Sequence, residues 1–295
     1  MGMIYNPWHG CTKISDGCAH CYMYFLDKQY DRDSIEVTKN KSTFNLPIKK
    51  DRTGQYKIRP GQHVMVCMTS DFFHEDADPW RDEVWAMLKF RSDVVWTLLT
   101  KRAENIPSRL PQDWGDGYGN VRLGVTAENQ NRAEQRVKIL LNTPAKHKWI
   151  NCAPLIGPVE IERYLESGQI EQVQAGGENY DGARPCEYAW VKSLHAQCYR
   201  TGVEFNLYET GTNFVLPNGK VIYEPRRDAQ SRNAAVLGTY LSPRTKPVYE
   251  LFYPNTNTPV TNIETPKFDN PRCQTCGNRP TCGGCTHCGK CERTR

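Results

Sequence analysis

Three cysteines near the start of the chain are close enough in sequence to bind one metal centre. They are Cys11, Cys18 and Cys21, in the pattern Cys-x6-Cys-x2-Cys. A structural zinc site needs four ligands, so His9 or His20 would have to complete a zinc site in this loop. A [4Fe–4S] cluster held by three thiolates would instead leave one iron open to a substrate or cofactor. The spacing predicts a metal centre and leaves both alternatives open.

A second group of cysteines lies near the carboxyl end of the sequence. Its six members are separated by two residues each, except for one gap of five, and are Cys273, Cys276, Cys282, Cys285, Cys288 and Cys291. The last four resemble ferredoxin-type ligation, although the final gap is one residue short and no proline follows. Two Cys-x2-Cys pairs equally predict a zinc site. Because six thiols exceed one tetrahedral site, the sequence predicts metal binding without deciding the metal or the ligands.

The other four cysteines stand alone in the sequence, and we predict that they are buried packing residues. They are Cys67, Cys152, Cys186 and Cys198. Cys186 follows a glycine-rich segment, so we also consider it a candidate catalytic thiol that relays hydrogen. The chain shows no secretory core segment and no apolar run of about 20 residues. We therefore expect a cytoplasmic protein with reduced thiols and no membrane span.

Positive charge is concentrated in the last quarter of the sequence. Residues 226–295 hold 11 Lys and Arg against 5 Asp and Glu, whereas the whole chain of 295 residues has a net charge of +5. Any attraction to polyanions such as nucleic acid is expected from this part. The length is sufficient for one large domain or two small ones.

Short apolar runs alternate with amphipathic segments over about 200 residues, which predicts parallel βα units in a barrel or an open doubly wound sheet. The predicted strands are 64–68, 94–99, 121–126, 148–153, 171–176 and 203–208, with a further strand around Ile4 and Tyr5. The predicted helices are 79–91, 129–142 and 187–200. After about residue 225 the pattern stops, and prolines punctuate a stretch rich in Thr and Asn. This stretch is typical of an extended connector.

Polar or glycine residues follow most of these predicted strands. They include Ser70, Asp71, Lys101, Glu128, Gly176, Gly177 and Glu178. The carboxyl ends of parallel strands form the ligand-binding edge of such folds, so we expect several of these residues to line one site. Arg184 is a further candidate, because a guanidinium can bind a carboxylate or phosphate through two parallel hydrogen bonds.

Several segments together resemble a phage-associated radical-SAM-like family, long classed as a domain of unknown function. They are NPWHGCTKISDGCAHCY, CMTSDFFHED, LLTKR, RLGVTAENQ, APLIGPV, QAGGENYDGARP and the helix from Trp190 to Cys198. The resemblance covers roughly residues 5–210 in order. The family looks related to the spore photoproduct lyase branch of the radical SAM enzymes.

The resemblance implies a partial (β/α)6-type barrel in residues 1–225, followed by the connector in 226–270 and a cysteine-rich module in 271–295. It implies a [4Fe–4S] cluster on the first three cysteines, S-adenosylmethionine on the open iron and an electron donor such as flavodoxin or ferredoxin. The candidate cofactor contacts are then Ser70, Asp71, Lys101, Glu128, Gly176, Gly177, Glu178 and Arg184. The terminal cysteines would hold a second [4Fe–4S] cluster or zinc.

The sequence departs from the usual radical SAM pattern in two places. Its first two cysteines are separated by six residues rather than three, and Gly176-Gly177-Glu178 comes after a late strand rather than the second. Ser70 and Asp71 occupy the early position instead. We expect a nucleobase or nucleotide substrate, in phage DNA hypermodification by rearrangement or bond cleavage. The alternatives are a non-catalytic cluster- or zinc-containing protein that binds nucleic acid or senses redox state, and a zinc hydrolase.

Overall fold

The structure is a computed structural model, and it describes residues 3–263. The strands are β1 (Met3–Tyr5), β2 (Trp8–His9), β3 (Thr38–Lys39), β4 (His63–Val66), β5 (Val95–Thr100), β6 (Val121–Thr126), β7 (His147–Cys152), β8 (Ile170–Gly176), β9 (Cys186–Glu187), β10 (Glu204–Glu209), β11 (Asn213–Val215) and β12 (Val221–Tyr223). The helices are α1 (Tyr22–Gln29), α2 (Asp78–Phe90), α3 (Ile106–Arg109), α4 (Gln130–Asn142), α5 (Glu162–Leu165), α6 (Tyr188–Thr201) and α7 (Arg227–Val236).

Seven parallel strands form one curled sheet, in the order β1-β4-β5-β6-β7-β8-β10. The sheet is a half-barrel, which confirms the prediction of a mixed α/β fold with parallel strands and is compatible with a partial barrel. Smaller sheets, β12-β11-β9 and β2-β3, lie outside it. Each predicted strand and each of the three predicted helices is present, with bounds that differ by one or two residues.

The apolar side chains of the sheet face the helices that connect the strands. Val66 and Leu123, on β4 and β6, belong to one buried core with Leu88 of α2, Val137 of α4 and Leu194 of α6. Within the seven-stranded sheet, each strand before β10 is followed by a crossover to its parallel neighbour. Right-handed crossovers place successive helices on the same side of a sheet. Full burial of each such side chain contributes roughly 1.5–3 kcal/mol, so this layer holds the sheet in shape.

The alternate side chains of the same strands point to the concave face, which is buried but polar. Arg122 donates from Nη2 to Oε1 of Gln172 at 2.6 Å, and Gln172 donates from Nε2 to Oε1 of Glu204 at 2.7 Å. The Arg122 guanidinium lies 5.0 Å from the centre of the Trp149 ring. Hydrogen bonding and this cation–π contact offset the cost of burying charge inside the half-barrel.

Residues 226–263, expected as part of an extended connector, include one helix. Helix α7 packs against β10, and Arg227 at its start donates from Nε and Nη2 to Oε2 of Glu209 at 3.1 and 3.0 Å. The prolines that suggested an extended chain begin only after this helix. The helix has a weakly apolar sequence, and its contact with Glu209 is a tertiary interaction that local sequence pattern does not reveal.

After α7 the chain runs along the amino-terminal edge of the half-barrel. Leu241 forms an isolated antiparallel bridge with Phe205 of β10. Further along, Glu250 accepts a hydrogen bond from Lys146, directly before β7, at 2.6 Å. The segment 237–263 therefore covers the end of the sheet opposite the expected ligand edge. Among the helices of residues 3–263, none combines the length and apolarity needed to cross a lipid bilayer.

The close approach of Trp149 to Gly124 gives a test of the packing inside the half-barrel. A Cβ atom at position 124 would lie 2.3 Å from the indole Nε1, so Gly124→Ala forces the ring to move. We expect Gly124→Ala to lower the free energy of unfolding by about 1–3 kcal/mol, measured by urea denaturation.

The matched control is Gly157→Ala, because the nearest atom to a new Cβ there is Asn129 Cβ at an ordinary 3.7 Å. This control is expected to change stability little. Equal stability of the two variants would contradict the described position of the indole.

Candidate functional site

The loop that carries the first three cysteines is fixed to the carboxyl-terminal edge of the sheet. Gly10 has a φ of +99°, and a Cβ atom there would lie 2.1 Å from the backbone oxygen of Glu36. Only glycine fits this position without displacing the backbone. The Gly10 N–H donates to the Thr69 carbonyl at 3.1 Å, and the Ser70 hydroxyl donates to the Gly10 carbonyl. These contacts bring Cys11 to the end of β4, as the sequence predicts.

The three thiols share one neighbourhood, are half-buried and form no disulfide. Cys18 ends a short 3-10 turn, and Cys21 directly precedes α1. Burial and the charges of Cys11, Cys21 and Cys18 raise the pKa of Tyr24 to about 12, so all three sulfurs lie within electrostatic reach of this hydroxyl. In the part of the chain that the structure describes, no three Cys, His, Asp or Glu side chains are close enough to bind one ion as they stand.

Arg102, which follows β5, contacts a cysteine sulfur from outside the cysteine loop. It is 3% exposed and donates from Nη1 to Cys11 Sγ at 3.4 Å and from Nη2 to the Thr12 carbonyl at 3.0 Å. Its Nη1 also lies 3.6 Å from Oδ2 of Asp71. The sequence favoured the neighbouring Lys101 as the functional residue, so the contact made by Arg102 was missed.

The environments of Cys11 and Cys18 differ in charge. Burial raises the pKa of the Cys11 thiol to about 11, although Arg102 acts in the opposite direction. Burial also acts to raise the pKa of Cys18, but the charge of Lys101 and hydrogen bonds from Ile14 and Ser15 outweigh it and hold the pKa below its usual value. Cys18 is therefore the more readily ionised of these two thiols.

Glu128 brings a buried carboxylate up to the cysteine loop. Its Oε2 accepts a hydrogen bond from Arg136 Nη1 at 2.6 Å, whereas its Oε1 has no hydrogen-bond partner among the described residues. A Cβ atom at Gly17 would lie 3.0 Å from this Oε1, so glycine allows the loop to rest against the carboxylate. Burial acts to raise the pKa of Glu128, but Arg136, Lys101 and the hydroxyl of Ser15 in the cysteine loop outweigh it and lower the pKa. An ionised, partly unpaired oxygen in this place is suited to a ligand that donates hydrogen bonds.

Glu178 is buried too, but both of its oxygens are occupied by Arg184. The backbone N–H and Nε of Arg184 each donate to Oε2 at 2.9 Å, and Nη2 donates to Oε1. The same Nη2 donates to the Asp16 carbonyl of the cysteine loop at 2.7 Å. Arg184 thus joins Glu178 to the loop, and its predicted contact with a cofactor stays a prediction.

The two glycines before Glu178 allow β8 and β10 to approach each other closely. A Cβ atom at Gly177 would lie 2.2 Å from the Thr210 carbonyl oxygen, and one at Gly176 would lie 2.8 Å from the Tyr208 ring. Packing alone therefore accounts for glycine at both positions. Their predicted contact with a cofactor stays a prediction.

The residues that follow β4 and β5 differ in how available they are to a ligand. Asp71 accepts hydrogen bonds from Thr100 Oγ1 at 2.7 Å, from Phe73 N at 2.9 Å and from Lys101 N at 3.0 Å, so its carboxylate holds the two strand ends together. Ser70 is engaged with Gly10. The Lys101 ammonium makes no hydrogen bond or ion pair within the described residues, and its charge acts on Cys18 and Glu128.

The remaining sequence candidates are Cys186 and the six C-terminal cysteines. Cys186 lies in β9 within the main hydrophobic core, where burial raises the pKa of its thiol to about 12. Its predicted role as a hydrogen relay stays a prediction. The C-terminal cysteines lie outside the described residues 3–263, and they are Cys273, Cys276, Cys282, Cys285, Cys288 and Cys291.

Four further buried oxygens at the carboxyl ends of the strands have no hydrogen-bond partner among the described residues. They are Thr126 Oγ1, Asn151 Oδ1, Asn179 Oδ1 and Thr212 Oγ1. Thr126 and Asn151 are register partners on β6 and β7, so their side chains are neighbours on the concave face. None of the four was predicted from the sequence. Thr126 and Asn151 carried a signal, because both lie near the ends of predicted strands and alternate side chains of a strand share a face.

The difference in pKa between Cys11 and Cys18 can be tested by alkylation of the metal-free protein. At neutral pH the thiol with the lower pKa has the larger thiolate fraction, and the thiolate is the species that reacts. We expect iodoacetamide to modify Cys18 faster than Cys11, measured by peptide mass spectrometry.

Lys101→Met is expected to slow the modification of Cys18 several-fold, because it removes the cation that lowers this pKa. Lys89→Met serves as the control, since Lys89 pairs with Asp113 on the surface. Faster modification of Cys11, or an equal effect of the control, would contradict this description.

A family model described as a protein of unknown function (DUF5131) matches residues 1–236. This span includes every strand and helix described above. No curated protein and no solved structure matches the chain. The chain therefore belongs to the DUF5131 family.

Proposed function

We propose that this protein is a radical SAM enzyme, with a [4Fe–4S] cluster on Cys11, Cys18 and Cys21 and S-adenosylmethionine at its open iron. The observation that carries the proposal is the position of three half-buried, unpaired thiols in one loop at the carboxyl edge of a parallel half-barrel. Glu128 Oε1 lies beside them and is a buried carboxylate oxygen without a hydrogen-bond partner among the described residues. The family resemblance of residues 5–210 supports the same assignment.

The donor set at this edge favours an iron–sulfur cluster over zinc. A zinc site would need a fourth ligand, and the three histidines near the loop have other contacts. His74 Nε2 lies 3.1 Å from Thr12 Oγ1, and its Nδ1 accepts a hydrogen bond from Asp76 N at 3.2 Å. His9 Nε2 lies 3.0 Å from Oδ2 of Asp27, and the His20 ring is so close to Gly182 that a Cβ there would lie 2.7 Å from it. Three thiolates without a fourth ligand fit a cluster that keeps one iron open.

Charged groups beside the thiols match the methionine part of S-adenosylmethionine, which carries an ammonium and a carboxylate. Glu128 Oε1 would accept hydrogen bonds from the ammonium, and the Lys101 ammonium would pair with the carboxylate. The unpartnered oxygens of Thr126 and Asn151, further along the same edge, would accept hydrogen bonds from the nucleoside part. In this proposal the oxygens that the protein leaves without partners are those that the cofactor satisfies.

When bound and reduced, the cluster and S-adenosylmethionine together supply a 5′-deoxyadenosyl radical that abstracts hydrogen from a substrate. The contribution of the chain is to orient the two groups and to exclude water and other hydrogen donors. Gly10, Gly17 and Gly182 allow the cysteine loop to pack closely on its surroundings, and Arg184 joins this loop to Glu178. The concave face below is filled by buried side chains, so the edge is closed from beneath.

The proposal is tested by anaerobic reconstitution with iron and sulfide, reduction with dithionite and quantification of 5′-deoxyadenosine. We expect the wild type to form this product and Cys11→Ala, Cys18→Ala and Cys21→Ala to lose it, because each variant removes a cluster ligand. Cys198→Ala is the matched control, since this thiol lies in the core on α6.

The proposal is wrong if a cluster assembles on the three cysteines but no 5′-deoxyadenosine forms with or without nucleic acid or nucleotides present. That result would favour the non-catalytic protein that binds nucleic acid or senses redox state. Zinc on the same cysteines after purification would favour a zinc protein.

We propose a nucleobase or nucleotide in DNA as the substrate, supported by the resemblance to a DNA-repair branch and by the basic residues after 225. A protein that neutralises phosphates with Lys and Arg releases counterions, so its affinity falls steeply with salt. We expect binding to a DNA oligonucleotide to weaken about tenfold or more between low and moderate salt, measured by fluorescence anisotropy. Binding that does not depend on salt would contradict a polymer substrate, whereas a free nucleotide would show little of this dependence.

A further inference from the structure

Arg102 makes a contact that goes beyond anchoring the cysteine loop. We propose that Arg102 is a positioning residue that donates a hydrogen bond to the Cys11 sulfur and raises the reduction potential of the cluster held there. The inference rests on the proposed function, because it assumes that Cys11 ligates a cluster. It concerns a property of this chain that neither the spacing of the cysteines nor the family match assigns.

The geometry directs the guanidinium at the sulfur rather than at solvent. Nη1 of Arg102 lies 3.4 Å from Cys11 Sγ, and Nη2 lies 2.6 Å from Thr12 Oγ1 and 3.0 Å from the Thr12 carbonyl oxygen. One planar group therefore holds both the sulfur and the backbone next to it. A lysine ammonium is a point charge and does not reproduce this fork of donors.

Two carboxylates and a backbone contact hold Arg102 in this position. Its Nη1 lies 3.6 Å from Oδ2 of Asp71, and its Nε lies 3.4 Å from Oε2 of Glu75. Its backbone N–H donates to Thr100 Oγ1 at 2.8 Å. Only 3% of the Arg102 side chain is exposed. Water therefore screens the interaction between the guanidinium charge and the sulfur only weakly.

The effect on the potential follows from the sign of the charge. Reduction adds one electron to the cluster and increases the negative charge on its thiolate sulfurs. A cation and an N–H donor stabilise the reduced state more than the oxidised state, so both raise the potential. Removal of Arg102 is expected to make the cluster harder to reduce.

The test is a redox titration of the reconstituted full-length protein, followed on the electron paramagnetic resonance signal that Cys11→Ala abolishes. We expect Arg102→Gln to shift the midpoint potential to more negative values, because it removes the charge and most of the donors. Arg102→Lys, which keeps the charge but not the fork, should shift it by a smaller amount. Arg81→Gln is the matched control and should leave the potential unchanged.

Arg81 is suitable as a control because it is as buried as Arg102 and contacts the segment between Asp71 and Glu75. It donates from Nε to the Phe72 carbonyl at 2.9 Å and from Nη2 to the His74 carbonyl. A cluster that assembles in Arg102→Gln with an unchanged midpoint overturns the inference and leaves the proposed function intact. If Arg102→Gln takes up no cluster, Arg102→Lys decides, and an unchanged potential there overturns it. Absence of any cluster in the wild type overturns the proposed function and this inference together.

Discussion

The common direction of the seven strands is the constraint on which the rest of the structure depends. Because all seven are parallel, every residue that ends a strand is delivered to the same edge of the sheet. The apolar face of the sheet is covered by helices, and the amino-terminal edge of the sheet is covered by residues 237–263. The carboxyl edge is where the cysteine loop packs, through Gly10 against the segment after β4. The proposed site at this edge therefore depends on the common direction of the strands.

Burial of charge at this edge is compensated almost everywhere by arginine. Each of four buried carboxylates there has a guanidinium partner, in the pairs Asp71–Arg102, Glu128–Arg136, Glu178–Arg184 and Glu209–Arg227. A buried carboxylate without such a partner would cost several kcal/mol and would take up a proton instead. Within the described residues, Glu128 keeps one oxygen outside this pairing, in contact range of the cysteine loop. We infer that Glu128 Oε1 binds a ligand rather than stabilises the fold.

Much of the fold could be predicted from the sequence, because apolar runs of strand length and amphipathic helices are local patterns. The positions of the first three cysteines and of Glu128 followed from their place after predicted strands. Arg102 could not be chosen over Lys101, because its contact with Cys11 joins residues 91 positions apart in the sequence. The glycines before Glu178 carried a signal of close approach, but the sequence did not tell whether strand or ligand approaches them. Helix α7 was missed because its contacts with β10 are not local.

Electron–nuclear double resonance would show whether S-adenosylmethionine binds the cluster on Cys11, Cys18 and Cys21. The sample is the reduced full-length protein with S-adenosylmethionine labelled with nitrogen-15 at its amino group. A companion variant would carry Ser at the six terminal cysteines, so that only the first three can hold a cluster. We expect a hyperfine coupling between the cluster and the labelled amino nitrogen in both proteins. Absence of the coupling in the variant, with a cluster present on Cys11, Cys18 and Cys21, would contradict it.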